Sequence, residues 1–161
     1  MKELIDKIST YNIFNYLLPG VLYCYTLPQI TSYNLIQEDM LVGAFLYYFI
    51  GMVISRVGSV IIEPLLKKIS FVKFSDYKSF VIASKKDDKI ELFSMVNNTY
   101  RTIIATILLL ALTAFYQTIE LRFQLSNVFT SFFVIILLFT LFLFSYRKQT
   151  QYINRRIDAN Q

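Results

Sequence analysis

The chain has 161 residues, 55% of them hydrophobic, which exceeds the roughly 45–50% of an average soluble domain. Its formal net charge is +5, it contains no histidine, and Cys24 is the only cysteine. This composition excludes imidazole catalysis and intrachain disulfides and leaves few ligands for a soft metal. The apolar residues are concentrated in long blocks, which is the distribution that membrane-spanning helices require.

Four apolar blocks predict four transmembrane helices, at residues 13–30, 40–62, 102–119 and 128–146. At about 1.5 Å of rise per residue, each block can cross the hydrocarbon core of a bilayer. Strands of a membrane barrel would alternate strictly between apolar and polar residues. The first block lacks a small-residue cleavage signature, so we expect it to stay in the mature protein. The predicted fold class is all-α, a polytopic membrane protein.

The basic residues predict the orientation. Residues 31–39 contain no Lys or Arg, and the connection between the third and fourth blocks contains only Arg122 of the sixteen. All the others lie in the N-terminal tail, the central segment with its flanks and the C-terminal tail. The positive-inside rule places these segments and both termini in the cytoplasm, and we expect the bacterial inner membrane as the location.

The central segment is the only stretch large enough for a polar module. Pro64 should end or bend the second span, and Ser75 begins an apparent helix. We predict a cytoplasmic helical hairpin between spans 2 and 3, too small for a core of its own. The predicted parts are the N-terminal tail with spans 1 and 2 (1–62), the hairpin (63–101), spans 3 and 4 (102–146) and a basic C-terminal tail (147–161).

The second helix of the hairpin is expected to continue into the membrane. Asp88 and Glu91 have the spacing of a capping box, in which two side chains satisfy the free N–H groups at a helix start. No residue breaks the pattern from Lys89 to Gln117. We therefore predict one helix of about 43 Å that projects from the membrane before it enters the third span.

Two ionisable residues lie at the end of the second block. Arg56 and Glu63 are seven residues apart and share a helical face. A charged residue within a span is costly and is by default a functional candidate. Arg56 could instead extend to the cytoplasmic interface, or the two residues could form a structural ion pair. These alternatives remain open from the sequence.

Small residues and a proline mark two further features of the first two spans. Gly51, Ser55 and Ser59 form a row that permits close helix packing, within one chain or between chains. Pro19 and Gly20 lie inside the first block. They predict either a hinge or pore-lining break, or a tolerated kink.

The third block contains a weak polar stripe. Thr102, Thr106, Thr113 and Gln117 recur at helical spacings of four, seven and four. Such a stripe would suit a pore lining. It would equally suit threonines that bond back to their own helix, which is the more common arrangement.

The cytoplasmic basic residues could bind a phosphate-bearing ligand, because cations beside aromatic faces bind single-stranded nucleotides. The same residues also follow from the positive-inside bias and from attraction to anionic lipid. Two amides at the membrane mouth are required by neither. The candidate ligand-binding residues are Lys67, Lys68, Lys73, Lys85, Lys86, Asn97, Asn98 and Arg101.

Three stretches of sequence carry a resemblance to a known family. Residues 54–67 (ISRVGSVIIEPLLK), 97–102 (NNTYRT) and 11–20 (YNIFNYLLPG) resemble small four-span proteins of bacterial anti-phage defence loci. The nearest type is the Hailong membrane effector, which is paired with a nucleotidyltransferase. The resemblance implies an oligomeric channel that opens on an oligonucleotide signal and depolarises the infected cell.

The sequence contains no catalytic constellation and no cofactor or metal motif, so we do not expect an enzyme. Our leading hypothesis is a homo-oligomeric, signal-gated channel with the hairpin as sensor. Its expected partners are the bilayer, copies of itself and an oligonucleotide made by a partner nucleotidyltransferase, but no long nucleic acid. The alternatives are a membrane adaptor that docks a soluble partner and a small holin-like toxin without a ligand.

Overall fold

A computed structural model describes residues 11–160, so the N-terminal tail with Lys2 and Lys7 lies outside the described residues. Over that range the chain forms helices and no strand, as the predicted all-helical class requires. The helices are α1 (11–30), α2 (Met40–Lys68), α3 (Tyr77–Ser84), α4 (Lys89–Phe123) and α5 (Asn127–Asp158). Three of them, α2, α4 and α5, are long and apolar enough to cross a membrane, whereas the shorter α1 is not one of the three.

Helices α1 and α2 cross at two glycines in close backbone contact. A Cβ added at Gly51 would collide with the carbonyl oxygen of Tyr16, and one added at Gly20 would collide with that of Tyr47. Both glycines are buried. Because any side chain at either position would push the helices apart, the crossing depends on glycine at both.

Each of these two helices contains a π-turn immediately before a proline. The π-turn Ile13–Leu17 precedes Pro19, and the π-turn Gly58–Ile62 precedes Pro64. A π-turn shifts hydrogen bonds from the i−4 to the i−5 carbonyl and accommodates one extra residue. The helix therefore continues through each proline. Of the two effects predicted for Pro64, it does not end the helix, because α2 extends to Lys68.

The short helix α3 begins at an aspartate. The Asp76 carboxylate accepts from the Ser79 N–H at 3.0 Å, so the helix start is at Asp76 rather than at the predicted Ser75. The hydrogen bond from Ser79 lowers the pKa of Asp76.

The N-terminus of α4 differs from the predicted capping box. Asp88 makes no side-chain cap, and the carboxylate of Asp87 instead accepts from the Lys89 N–H at 2.9 Å. The prediction of one continuous helix from Lys89 is confirmed. It has 35 residues, or about 52 Å, and ends at Phe123 instead of Gln117.

The last helix is longer than the predicted fourth span. It has 32 residues and continues past Tyr146 to Asp158, so most of the basic C-terminal tail is helical. This extension packs against α3: the rings of Tyr77 and Tyr152 meet edge to face at 5.0 Å, and Lys85 Nζ donates to Asn160 Oδ1 at 2.8 Å. The C-terminal end and the central segment therefore lie at the same end of the bundle.

The opposite end of the bundle is formed by the two short connections. Ser32 bonds to Gln117, and the hydroxyl of Tyr33 donates to the carboxylate of Glu120. Asn15, near the other end of α1, bonds to Thr102. Helix α1 thus runs beside α4 over the whole stretch from residue 102 to residue 117.

The core is small for a chain of this length. Its buried apolar cluster consists of Ile54, Ile62 and Ala105, where α2 meets α4. The most apolar stretches of α4 and α5 are only 17% and 11% buried inside the chain. Such extensive apolar exposure is expected of helices whose solvent is lipid or a neighbouring subunit rather than water.

Candidate functional site

A buried polar node joins the first three long helices. Asn15 is fully buried, and its Nδ2 donates to the hydroxyls of Ser55 and Tyr11, each at 3.0 Å. Thr102 donates to Asn15 Oδ1 at 2.7 Å. Asn15 is held by the π-turn of α1, while Ser55 and Thr102 lie on α2 and α4. Interhelical hydrogen bonds of this kind specify which helix faces meet in an apolar environment.

A cluster of four charged residues joins α2, α4 and α5, and its Arg101 directly precedes Thr102 of the polar node. The Glu63 carboxylate binds Lys67 at 2.9 Å, Lys148 at 3.6 Å and the guanidinium of Arg101. The Glu63 side chain is 13% exposed, whereas those of Lys67 and Lys148 are 44% and 42% exposed. The cluster is therefore enclosed by helices at its carboxylate and open to the surface at its two ammonium groups.

The π-turn of α2 explains one of these contacts. In the π register the Glu63 N–H donates to the Gly58 carbonyl, so the next donor should serve the carbonyl of Ser59. That next residue is Pro64, which has no N–H. The ammonium of Lys148 supplies the missing donor at 2.5 Å from the Ser59 oxygen. A local break in the helix ladder thus becomes the attachment point for another helix.

Of the alternatives left open for Arg56, the ion pair with Glu63 is not formed in this structure. Glu63 binds the three other cations, and Arg56 donates to the hydroxyl of Tyr16 on α1 at 3.3 Å. The seven-residue spacing does put both side chains near one face of α2. However, the π-turn between them rotates Glu63 away from Arg56 and toward α4 and α5.

The row of small residues packs within the chain. Gly51 touches the backbone of α1, Ser55 bonds to Asn15, and Ser59 offers its carbonyl to Lys148. A fourth small residue, Gly58, lies against Arg101 and Ala105 of α4. The sequence could not distinguish packing inside one chain from packing between chains. In this structure the row packs inside one chain.

Pro19 and Gly20 are both buried, and α1 continues through them without interruption. Gly20 contributes the close approach to α2 described above. Of the two readings of this pair, the structure matches the tolerated proline inside a continuous helix, with the π-turn as the compensating element.

The polar stripe of α4 points into the chain. The hydroxyls of Thr106 and Thr113 donate to the carbonyls four residues before them, at 2.9 and 2.8 Å, and the single proton of the Thr102 hydroxyl is shared between the Asn98 carbonyl and Asn15 Oδ1. Thr102 and Thr106 are buried, Thr113 also bonds to Tyr23 at 2.8 Å, and Gln117 bonds to Ser32. The structure therefore has the back-bonding arrangement, with these side chains joining α4 to α1.

The predicted ligand-binding residues do not converge on one site. Lys67 and Arg101 belong to the Glu63 cluster, while Lys85 bonds to Asn160 at the end of α5. The carbonyl of Asn98 is occupied by Thr102. Lys67 also lies 4.1 Å from the ring centroid of Phe74, in a cation–π contact. The remaining four are exposed around the basic end of the bundle: Lys68, Lys73, Lys86 and Asn97.

Other chemistry is sparse in residues 11–160. Those residues include no group of acidic, Cys or His side chains that could hold a metal, and Cys24 is buried in α1. An open cavity of about 330 Å³ lies between α3 and the end of α5. It is lined by Tyr77, Lys78, Arg155, Asp158 and Ala159.

Sequence reasoning missed Asn15 and Lys148 as members of these two clusters. Asn15 is the only amide buried inside α1, and a polar residue near the start of an apolar block is the signal that could have marked it. Lys148 had no such signal, because it is one of several basic residues after the fourth block. Its role depends on the π-turn of α2, which no residue pattern in the sequence predicts.

Comparisons with protein-family models, with characterised proteins and with solved structures gave no match to this chain. Its class is therefore defined by its own structure, an all-helical protein with three helices able to cross a membrane.

Proposed function

We propose that the chain crosses the bacterial inner membrane four times, because α1 spans it in addition to α2, α4 and α5. Both termini and the central segment are then in the cytoplasm. Two contacts support this topology. Helix α1 is bonded to α4 at Thr102 and at Thr113, and Ser32, just after α1, is bonded to Gln117, so α1 runs beside a helix that can span. Both Lys85 and Asn160 are at one end of the bundle, as the positive-inside rule requires.

We further propose that copies of the chain assemble into an ion channel or pore that opens on a cytoplasmic oligonucleotide signal and depolarises the cell in anti-phage defence. The observation that carries this proposal is α4, one uninterrupted helix from the basic end of the bundle to its far end. A rigid helix of about 52 Å can transmit a displacement from a ligand to the bilayer. A single bundle of four helices has its interior filled by side chains, so a pore requires several copies.

The test is an ion-flux assay on proteoliposomes with candidate oligonucleotides made by a nucleotidyltransferase. We expect ligand-dependent flux, with the response lost in the double variant Lys85→Glu/Lys86→Glu because its charge repels phosphate. A Lys78→Glu/Lys89→Glu variant is the charge-matched control. A chain that stays strictly monomeric in detergent, with and without ligand, would contradict the proposal. Flux that persists without ligand in every variant would instead identify a holin-like toxin.

A second function, a membrane adaptor for a soluble partner, is favoured by the apolar surface of the central segment. Ile69, Phe71 and Phe93 are each at least 65% exposed on the basic side of the bundle, outside the predicted spans. Exposed apolar groups in water commonly mark a protein interface. The adaptor predicts no flux under any condition, together with stable co-purification of a partner that is lost in a Phe71→Ser/Phe93→Ser variant.

A further inference from the structure

The charges in the Glu63 cluster do not balance. Three cations, Lys67, Arg101 and Lys148, lie within bonding distance of a single carboxylate. Over residues 11–160 no other acidic side chain is bonded to them. Buried or half-buried cations are normally paired, because removing a charge from water without compensation is costly. The cluster therefore has an excess of two positive charges.

The donors in the cluster also outnumber the acceptors. Arg101 has a buried Nε that finds no hydrogen-bond acceptor among the described residues. The guanidinium is a planar fork that suits two oxygens of a carboxylate or phosphate at once. Glu63 bonds to only one nitrogen of that fork, so an oxygen-rich anion could supply the acceptor that Nε lacks.

The position of the cluster specifies the kind of anion. Glu63, Arg101 and Lys148 lie at the ends of the predicted second, third and fourth spans, at 62, 102 and 146. Exposed apolar side chains of α2 flank it, among them Ile61 and Leu65. A basic pocket between helices at the cytoplasmic interface is the arrangement that binds phosphate head groups.

We propose that the Glu63 cluster is a binding site for a phosphate group, in which Arg101, Lys67 and Lys148 hold the phosphate oxygens and Glu63 is the internal competitor. When phosphate binds, the Glu63 carboxylate releases the two lysines, and the Nε of Arg101 gains the acceptor that it lacks. The phosphate can come from an anionic lipid or from a soluble phosphorylated ligand. The site is independent of whether the protein conducts ions.

Two binding assays on the full chain distinguish the sources. In the lipid arm, the protein is reconstituted in phosphatidylcholine nanodiscs with and without phosphatidylglycerol, and the retained lipid is counted by native mass spectrometry. In the soluble arm, delipidated protein in a neutral detergent receives inorganic phosphate or ATP against chloride at equal ionic strength. The readout there is the shift of the unfolding midpoint, which grows with ligand affinity.

Two substitutions in the cluster should change phosphate affinity in opposite directions. We expect Lys148→Gln to weaken phosphate binding about tenfold, because one charge-assisted hydrogen bond is lost. Glu63→Gln should strengthen binding by a similar factor, since the internal competitor is removed while the cations remain. Arg147→Gln, at the exposed position next to Lys148 and with the same charge change, is the control and should bind as the parent chain does.

A purely structural cluster gives a different pattern. In that case Glu63→Gln and Lys148→Gln would both lower the unfolding midpoint, and neither would change the increment produced by phosphate or by phosphatidylglycerol. That pattern, or a loss of binding in Arg147→Gln equal to that in Lys148→Gln, would overturn the proposal. Binding in one arm alone supports the site and identifies the source of the phosphate.

Discussion

The ammonium of Lys148 on α5 donates to the backbone carbonyl of Ser59 on α2 at 2.5 Å. The bond exists because Pro64 has no N–H and the preceding π-turn leaves that carbonyl without a backbone donor. A proline that would otherwise weaken α2 thus creates the acceptor that attaches α5. The same lysine also faces Glu63, so one ammonium group interacts with both a backbone carbonyl and a carboxylate.

Removal of this lysine should loosen α5. We predict that Lys148→Met lowers the free energy of unfolding by about 1–2 kcal/mol, because the Ser59 carbonyl then lacks a donor in an apolar setting. Arg147→Met, at the exposed neighbouring position, is the control and should change it little. Unfolding in mixed micelles of increasing denaturing detergent measures both. Equal effects of the two substitutions would count against the contact.

The glycine crossing of α1 and α2 should tolerate no side chain. We expect Gly51→Ala to cost about 1–3 kcal/mol of stability, because the added Cβ meets the carbonyl of Tyr16, a backbone group that cannot rotate away. At Gly43 a Cβ would approach only the ring of Tyr47, at 3.3 Å. Gly43→Ala is therefore the matched control, with the smaller loss in the same unfolding measurement. A reversed order of the two variants contradicts the crossing geometry.

The polar node should show measurable coupling between helices. Asn15 and Thr102 are joined by a 2.7 Å hydrogen bond. A double-mutant cycle with Asn15→Ala and Thr102→Val should give a coupling energy of about 0.6–1.7 kcal/mol, the range found for hydrogen bonds between membrane helices. The pair Asn15→Ala and Thr118→Val provides the uncoupled control, because Thr118 bonds back to Ala114 instead. Additive effects in the first cycle would show that the node contributes nothing.

The four-span topology predicts which positions a membrane-impermeant thiol reagent reaches. In a Cys24→Ser background, Asn34→Cys should react in intact spheroplasts, whereas Lys86→Cys and Asn160→Cys should react only after permeabilisation. Asn34 lies in the connection after α1, and the other two lie at the basic end of the bundle. If α1 did not cross the membrane while α2, α4 and α5 did, Asn34 would still face outward. The two termini distinguish three spans from four. With four spans, both Gln161→Cys and an added N-terminal cysteine are protected in intact spheroplasts, whereas with three spans the N-terminal cysteine reacts.

The start of α3 should depend on pH through Asp76. Its pKa is lowered in the folded chain by the Ser79 N–H, so the cap is fully formed above the ordinary aspartate pKa of 3.8. The stabilisation is lost as the pH falls through the lower, folded pKa. We expect amide exchange at Ser79 in the parent chain to approach that of Asp76→Ala only under such acid conditions, and to be slower at neutral pH. Indistinguishable exchange at neutral pH would exclude the cap.

Long apolar blocks were enough to predict most of the helices, because length and hydropathy decide what spans a membrane. The continuity of α4 from Lys89 also followed from the sequence, since no proline or glycine interrupts it. The partners of the charged residues did not follow from the sequence. Arg56 and Glu63 were paired on the assumption of a regular helix, and one extra residue per π-turn was enough to separate them.

Capping was predicted correctly only in kind. Aspartates do begin both α3 and α4, but the residues that accept are Asp76 and Asp87 rather than Ser75 and Asp88. Adjacent polar residues compete for the same N–H groups with nearly equal energies, so the local backbone decides between them. Tertiary partners such as Lys148 follow from which helices pack together, and spacing along the chain does not contain that information.

The length of α4 has a mechanical consequence. Its buried residues, Thr102, Ala105 and Thr106, occupy one short stretch. That stretch is the natural fulcrum of a rigid rod. From the centre of that stretch, about 22 Å of helix lie on the side of Lys89 and about 28 Å on the side of Phe123. By simple leverage, sideways travel at the basic end is multiplied about 1.3-fold at the far end. A small displacement near the lysines would therefore become a larger movement at the far end of α4.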